Sequence, residues 1–172
     1  MTSLVNTRIV DAINGQVVEE FTAANQYLAM ALYFDIETLP ELSKFFHFQS
    51  TEEHGHGRKL LQYIAAAGGQ PIVPATKDVK NYFESVEEAV ELALNQELKV
   101  TDQINTLVAL AEQEKDYLTR EMLQWFVTEQ LEEVSSISDL LNVARRAKDD
   151  LFRIEEYLRN NPHEAAAEGE QD

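Results

Sequence analysis

Apolar residues recur along most of the chain at alternating steps of four and three, the period of a helix with one face turned inward. The pattern breaks at Leu39-Pro40, across "GGQPIVPATKD" and near Lys115-Asp116. It predicts four long helices over residues 6–38, 41–67, 86–114 and 118–147, each roughly 40–50 Å long at about 1.5 Å per residue. Ser85, with Glu88 three residues later, is a capping-box start signal for the third. After Lys148 the stretch "DDLFRIEEYL" reads as a shorter fifth helix with Leu151, Ile154 and Leu158 on one side. The first and third connections are tight, whereas residues 68–84 form a loop with two prolines, long enough to run the length of a bundle. Short, long, short predicts an all-α four-helix bundle with one long crossover connection, plus a short fifth C-terminal helix. One domain spans residues 1–160, and residues 161–172 read as a flexible acidic tail.

Following each inward stripe shows what the bundle encloses. The first helix contributes Ile9, Ile13, Gln16, Glu20, Ala23, Tyr27, Met30 and Phe34; the second Leu42, Phe46, Gln49, Glu53, His56, Leu60, Tyr63 and Ala67. The third contributes Val86, Val90, Ala93, Glu97, Val100, Ile104, Leu107 and Ala111; the fourth Leu123, Phe126, Gln130, Glu133, Ile137, Leu140 and Ala144. Every stripe is mainly apolar and carries one acid near its midpoint. Midpoints of adjacent rods of equal length share one level whichever way the rods point, so Glu20, Glu53, Glu97 and Glu133 should converge, with His56 and Gln130 among them. No stripe holds a lysine or arginine. Four carboxylates cannot all ionise in a dry core without a cation, because desolvation and mutual repulsion both oppose it; either most are protonated or metal ions neutralise them.

Composition narrows the chemistry. The formal net charge of −17 argues against nucleic acid and anionic membrane surfaces as partners and favours cations. No cysteine is present, which removes disulfides, thiol catalysis and thiolate zinc sites. The N-terminus lacks a basic region followed by an apolar block, and no apolar run approaches the ~20 residues that span a bilayer, so a soluble cytoplasmic protein is expected.

Oxygen-rich ligation with a single imidazole suits iron first, manganese or zinc after it. Glu53 is placed to bridge two metals, Glu20 and His56 to complete one site, Glu97 and Glu133 the other, with Gln130 a hydrogen bonder or weak ligand. At about 100° per residue Glu52 lies on the flank of the site, so Glu52, Glu129, Glu132 and Glu133 form a candidate third, more exposed cation site. Tyr27, two turns beyond Glu20, could bond a ligand carboxylate or give up an electron. Trp125 reads as core packing, and His54, His47 and His163 as surface. Gly57 lies near the inner face, where it would leave room for metal or water; Gly55 faces outward, where it would admit a neighbouring subunit.

With these residues in view, "EFTAANQYLAMALYFD" and "QWFVTEQLEEV" resemble the bacterial non-haem ferritins, especially the actinobacterial type, from about residue 4 to residue 158. The resemblance implies a ferritin-like di-iron bundle with a ferroxidase centre at Glu20, Glu53, His56, Glu97, Gln130 and Glu133, with Tyr27 beside it. It implies Fe(II) oxidation by O2 or H2O2, iron storage as mineral, and a hollow homo-oligomeric 24-subunit shell with the fifth helix at the four-fold axes. The related bacterioferritins carry a haem-ligating methionine where this chain has His54, and Glu-x-x-His where it has Gln130-x-x-Glu133, so no haem is expected. The alternatives are a haem-binding cage using His54, another di-metal oxidase on the same bundle, and a non-catalytic acidic scaffold.

Overall fold

The start signals of the helices are mostly local. In the computed structural model, which describes residues 3–148 and 150–162, the Asn6 side chain accepts from the Ile9 N–H at 3.0 Å and opens α1 (Thr7–Ile36). Ser85 accepts from the Glu88 N–H at 3.1 Å to open α3 (Val86–Gln113), and Asp116 accepts from the Thr119 N–H at 2.9 Å to open α4 (Tyr117–Ala147). Of the expected tail, residues 163–172, His163 included, lie outside the described residues. The first helix stops two residues before the expected boundary because Thr38 takes a φ of 59°, and the Leu39 N–H turns back to the Phe34 carbonyl at 2.9 Å.

The second helix, α2 (Pro40–Ala66), has no capping side chain of its own. Pro40 removes one orphan N–H, and the next two, of Glu41 and Leu42, donate to the Glu155 carboxylate at 2.9 and 3.0 Å. Glu155 is buried on α5 (Leu151–Asn160), which rests on α2 and α4, so a residue over a hundred positions away supplies the cap. Glu155→Ala should therefore lower stability by about 1.5–3 kcal/mol, the range for a charge-assisted hydrogen bond. The loss should appear as faster amide exchange across residues 151–160 together with a lower melting temperature; unchanged exchange there would mean that α5 is held by its apolar side alone.

α1 packs along α2 and α3 along α4, with α1 against α3 closing the bundle. The crossover between α2 and α3 is laid along α1 by two buried amides. Asn14 donates to the Gln70 carbonyl at 3.0 Å and accepts from the Ile72 N–H at 2.9 Å; Gln26 donates to and accepts from Lys80 backbone, both at 2.8 Å. Each side-chain amide thus pairs with loop backbone much as a neighbouring strand would, which satisfies groups that the irregular segment could not satisfy alone.

Every position of the four predicted stripes is buried except Tyr63, which is half-buried because Ile64 takes the inward place near the end of α2. The apolar core comes in two clusters. One contains Met30, Phe34, Phe46, Val90, Leu140 and the inner side of α5; the other contains Ile9, Ile13, Leu60, Ile104, Leu123 and Phe126. Between them lies a polar layer, and the fold's function is decided there.

Candidate metal centre

The layer is built from Gln16 and Glu20 of α1, Gln49, Glu53 and His56 of α2, Glu97 of α3, and Gln130 and Glu133 of α4, every one buried. No lysine or arginine is among the buried residues described. The predicted convergence of the four midpoint acids is what the helices produce. His56 Nδ1 lies 3.3 Å from Glu53 Oε2 and 4.0 Å from Glu20 Oε2, and ligand atoms of these three residues all fall within 4.8 Å of one another.

Hydrogen bonds hold both oxygens of Glu97 and one of Glu20, and leave the other buried carboxylate oxygens of the layer free. Gln16 donates to Glu20 Oε1 at 2.9 Å, the Tyr27 hydroxyl donates to Glu97 Oε1, and Gln130 donates to Glu97 Oε2 at 3.1 Å. Glu20 Oε2, both Glu53 oxygens and Glu133 Oε2 are buried with no hydrogen-bond partner. A buried, partnerless carboxylate oxygen is costly, and four of them in one layer make a set of donors lacking an acceptor of charge. Hard oxygens with one imidazole nitrogen fit a pair of divalent cations of the iron type.

Electrostatics agree. Burial first, and then the charges of Glu97, Glu20 and Glu133, hold the Glu53 carboxyl well above its usual range. Burial likewise pushes Glu133 up to about 9, with Glu97 and Glu52 adding to it. Burial raises Glu97 to about 7 against the hydrogen bonds from Tyr27 and Gln130, and it raises Glu20 as well. His56 is lowered to about 4 by burial and by the Lys59 charge, so its imidazole stays neutral and its lone pair is available. Burial and the surrounding acids push the Tyr27 hydroxyl well up, so it remains a donor to Glu97.

The flanking acids are arranged differently from the simplest expectation. Glu132 is exposed, while Glu52 and Glu129 are half-buried; burial and the charges of Glu129 and Glu132 raise Glu52 to about 7. The second group whose ligand atoms lie within 4.8 Å of one another is His56, Glu129 and Glu133, so Glu129 reaches the inner layer. His56 therefore stands between two groups of acids.

Two readings of single residues are corrected. Trp125 is 38% exposed and not core; its ring stands edge-on to His56 at 5.4 Å between centroids, and the Lys59 ammonium sits 3.4 Å over its face. The space at Gly57 does not belong to metal or water, because the Phe21 ring occupies it and a Cβ there would collide with that ring. A Cβ at Gly55 would meet nothing within 4 Å. His54 is exposed and its ring stacks on that of Phe21, at 5.0 Å between centroids. His47 is exposed, 3.6 Å from Asp35. Sequence reasoning placed Gln16 and Gln49 in the stripes and gave them no role; the missed signal was a glutamine one turn before the acid on both α1 and α2.

Comparison with known proteins bears on the family and the fold. The profile of the ferritin-like domain family matches residues 10–147. The chain is 43% identical over 143 residues to ferritin BfrB of Mycobacterium tuberculosis, an alignment covering 83% of this chain and 79% of that protein. It is 36% identical over 147 residues to the bacterial non-heme ferritin of Staphylococcus aureus, covering 86% and 89% respectively. Among solved structures, an open pore ferritin from the archaeon Archaeoglobus fulgidus superposes with a TM-score of 0.87 at 32% identity, over 91% of this chain and 96% of that one.

Proposed function

Because this chain belongs to the ferritin-like family, we propose that its polar layer is a ferroxidase centre serving iron storage. Two ferrous ions enter, pass their electrons to dioxygen or hydrogen peroxide, and leave as ferric ions that grow a mineral inside a hollow homo-oligomeric shell. The observation that carries the reading is the set of partnerless buried oxygens on Glu20, Glu53 and Glu133, two of them on Glu53 alone.

The roles follow from which atoms are free. Glu53, with both oxygens unspent and His56 and Glu20 beside it, bridges the two ions. Glu20 and His56 complete one position, and Glu97 with Glu133 the other. Gln16 fixes Glu20 through its second oxygen, and Tyr27 and Gln130 orient Glu97 through both of its oxygens, so that little rearrangement is needed when an ion arrives. Anionic oxygens favour ferric over ferrous iron, which lowers the cost of giving up each electron. Two ions supply two electrons, enough with two protons to reduce dioxygen to the level of hydrogen peroxide. Tyr27 stands where it could also supply an electron. Glu52, Glu129 and Glu132 form an outer acidic group that takes a further cation.

Exposed apolar residues support assembly. Leu28, Leu32 and Ile36 lie along one face of α1, and Ile72, Val73 and Tyr82 of the crossover are also uncovered, apolar surface that a neighbouring subunit would cover. We take the shell to be a 24-subunit one, cytoplasmic and without haem; among the described residues no helix is long and apolar enough to cross a membrane. Native sizing together with aerobic iron loading tests the reading. The expected result is one large particle that retains many more than two iron atoms per chain; a monomer or dimer holding two or fewer would overturn storage.

A further inference from the structure

Gln49 lies between the two groups of acids and belongs to neither. It is fully buried, its Nε2 donates to Glu52 Oε2 at 3.0 Å, and its Oε1 is buried with no partner. The same amide lies close enough to the Glu133 carboxyl to oppose the effect of burial there. One side chain thus touches an acid of the inner layer and an acid of the outer group.

A leucine at this place would avoid the cost of an unsatisfied buried carbonyl, about 1–3 kcal/mol. Holding Glu52 explains the nitrogen end of the amide but leaves the oxygen unexplained. A neutral carbonyl oxygen is a weak ligand for a hard cation, well suited to an ion that passes and poorly suited to one that stays. A carboxylate in the same place would add charge and trap the ion.

Resting on the ferroxidase reading, we propose that Gln49 is a relay ligand for iron transfer, its Oε1 serving as a neutral stepping point between Glu133 of the di-iron centre and Glu52 of the outer acids. By holding Glu52 through Nε2 while offering Oε1, the one amide sets both the destination and the path. It predicts that clearing the centre depends on Gln49 more than filling it does.

The test uses the assembled protein and separates two phases of aerobic oxidation: the burst on adding two Fe(II) per chain, and the sustained rate at large excess. In Gln49→Leu the ratio of sustained to burst rate should fall at least about fivefold. Gln49→Glu keeps the shape and adds a charge; it should lower the ratio too and bind one more Zn2+ per chain in anaerobic titration. A ratio unchanged in both variants overturns the proposal, as does a loss in which both phases fall together, the mark of a merely structural role. If the leucine variant fails to assemble, the glutamate variant decides alone by the same ratio. Absence of any burst in the unaltered protein would instead reject the ferroxidase reading, so the two failures are distinguishable.

Discussion

Glu53→Ala is expected to abolish the burst of Fe(II) oxidation, lowering its rate by at least about a hundredfold, since removing even an outer-shell partner commonly costs 10–100-fold in metal affinity or activity. Glu53 is the one acid of the layer with both oxygens unpartnered, and its neighbours His56 and Glu20 lie on the side where one ion would sit. The isosteric Glu53→Gln should lose oxidation as well while raising the melting temperature of the metal-free protein at pH 8, because it replaces a carboxyl that burial and three nearby acids disfavour as an anion. That opposite movement of activity and stability distinguishes a metal site from a structural network. Stopped-flow oxidation and calorimetry on the same preparation read both. Retention of the unaltered rate in Glu53→Ala would sink the assignment of the centre.

How far the sequence reaches follows from how local each determinant is. The stripes could be read because helical period and burial obey one rule, and the midpoint argument needs only equal helix lengths; both survive in the buried acids of all four helices. Tyr63 departs where a straight helix drifts from a strict alternation of steps, and Ile64 takes the inward place. The cap that Glu155 gives α2 and the amide pairing of Asn14 and Gln26 with the crossover were not legible, since each joins groups at least 54 residues apart with no spacing rule between them. Trp125 and Gly57 failed for a related reason. An aromatic near the inner stripe and a glycine near the site have several uses, and only the neighbours, Lys59 with His56 in one case and Phe21 in the other, decide among them. The division of the flanking acids likewise depends on rotamers: Glu129 turns inward toward His56 and Glu133, whereas Glu132, three residues farther along α4, stays in water.

The metal-free protein should lose stability as the pH rises from about 6.5 to 9, and divalent ions should reverse the loss. Glu97 and Glu52 are raised to about 7 and Glu133 to about 9, with Glu20 and Glu53 also raised, from an ordinary value of 4.5. Above 4.5 the unfolded chain has released these protons and the native layer has not, so the native state binds more protons and its stability falls with pH. The contribution is complete below about 4.5 and is lost as the pH passes through about 7 and then about 9. His56 works the other way, being lowered to about 4 from 6.5, so the unfolded chain binds its proton first and stability rises with pH between those values. The two effects oppose one another up to about pH 6.5, and only the carboxyls act above it. One to two excess native protons, at about 1.36 kcal/mol each per pH unit, correspond to a melting temperature lower by roughly 10–25 °C at pH 9 than at 6.5. Glu133→Gln should flatten the upper part of that slope. Zn2+, which cannot be oxidised, should displace the protons and therefore stabilise more at pH 8.5 than at pH 6, with proton release measurable in weakly buffered solution. A melting temperature that stays level or climbs over this range without metal would mean that the acids are solvated and that no charge awaits a cation between the helices.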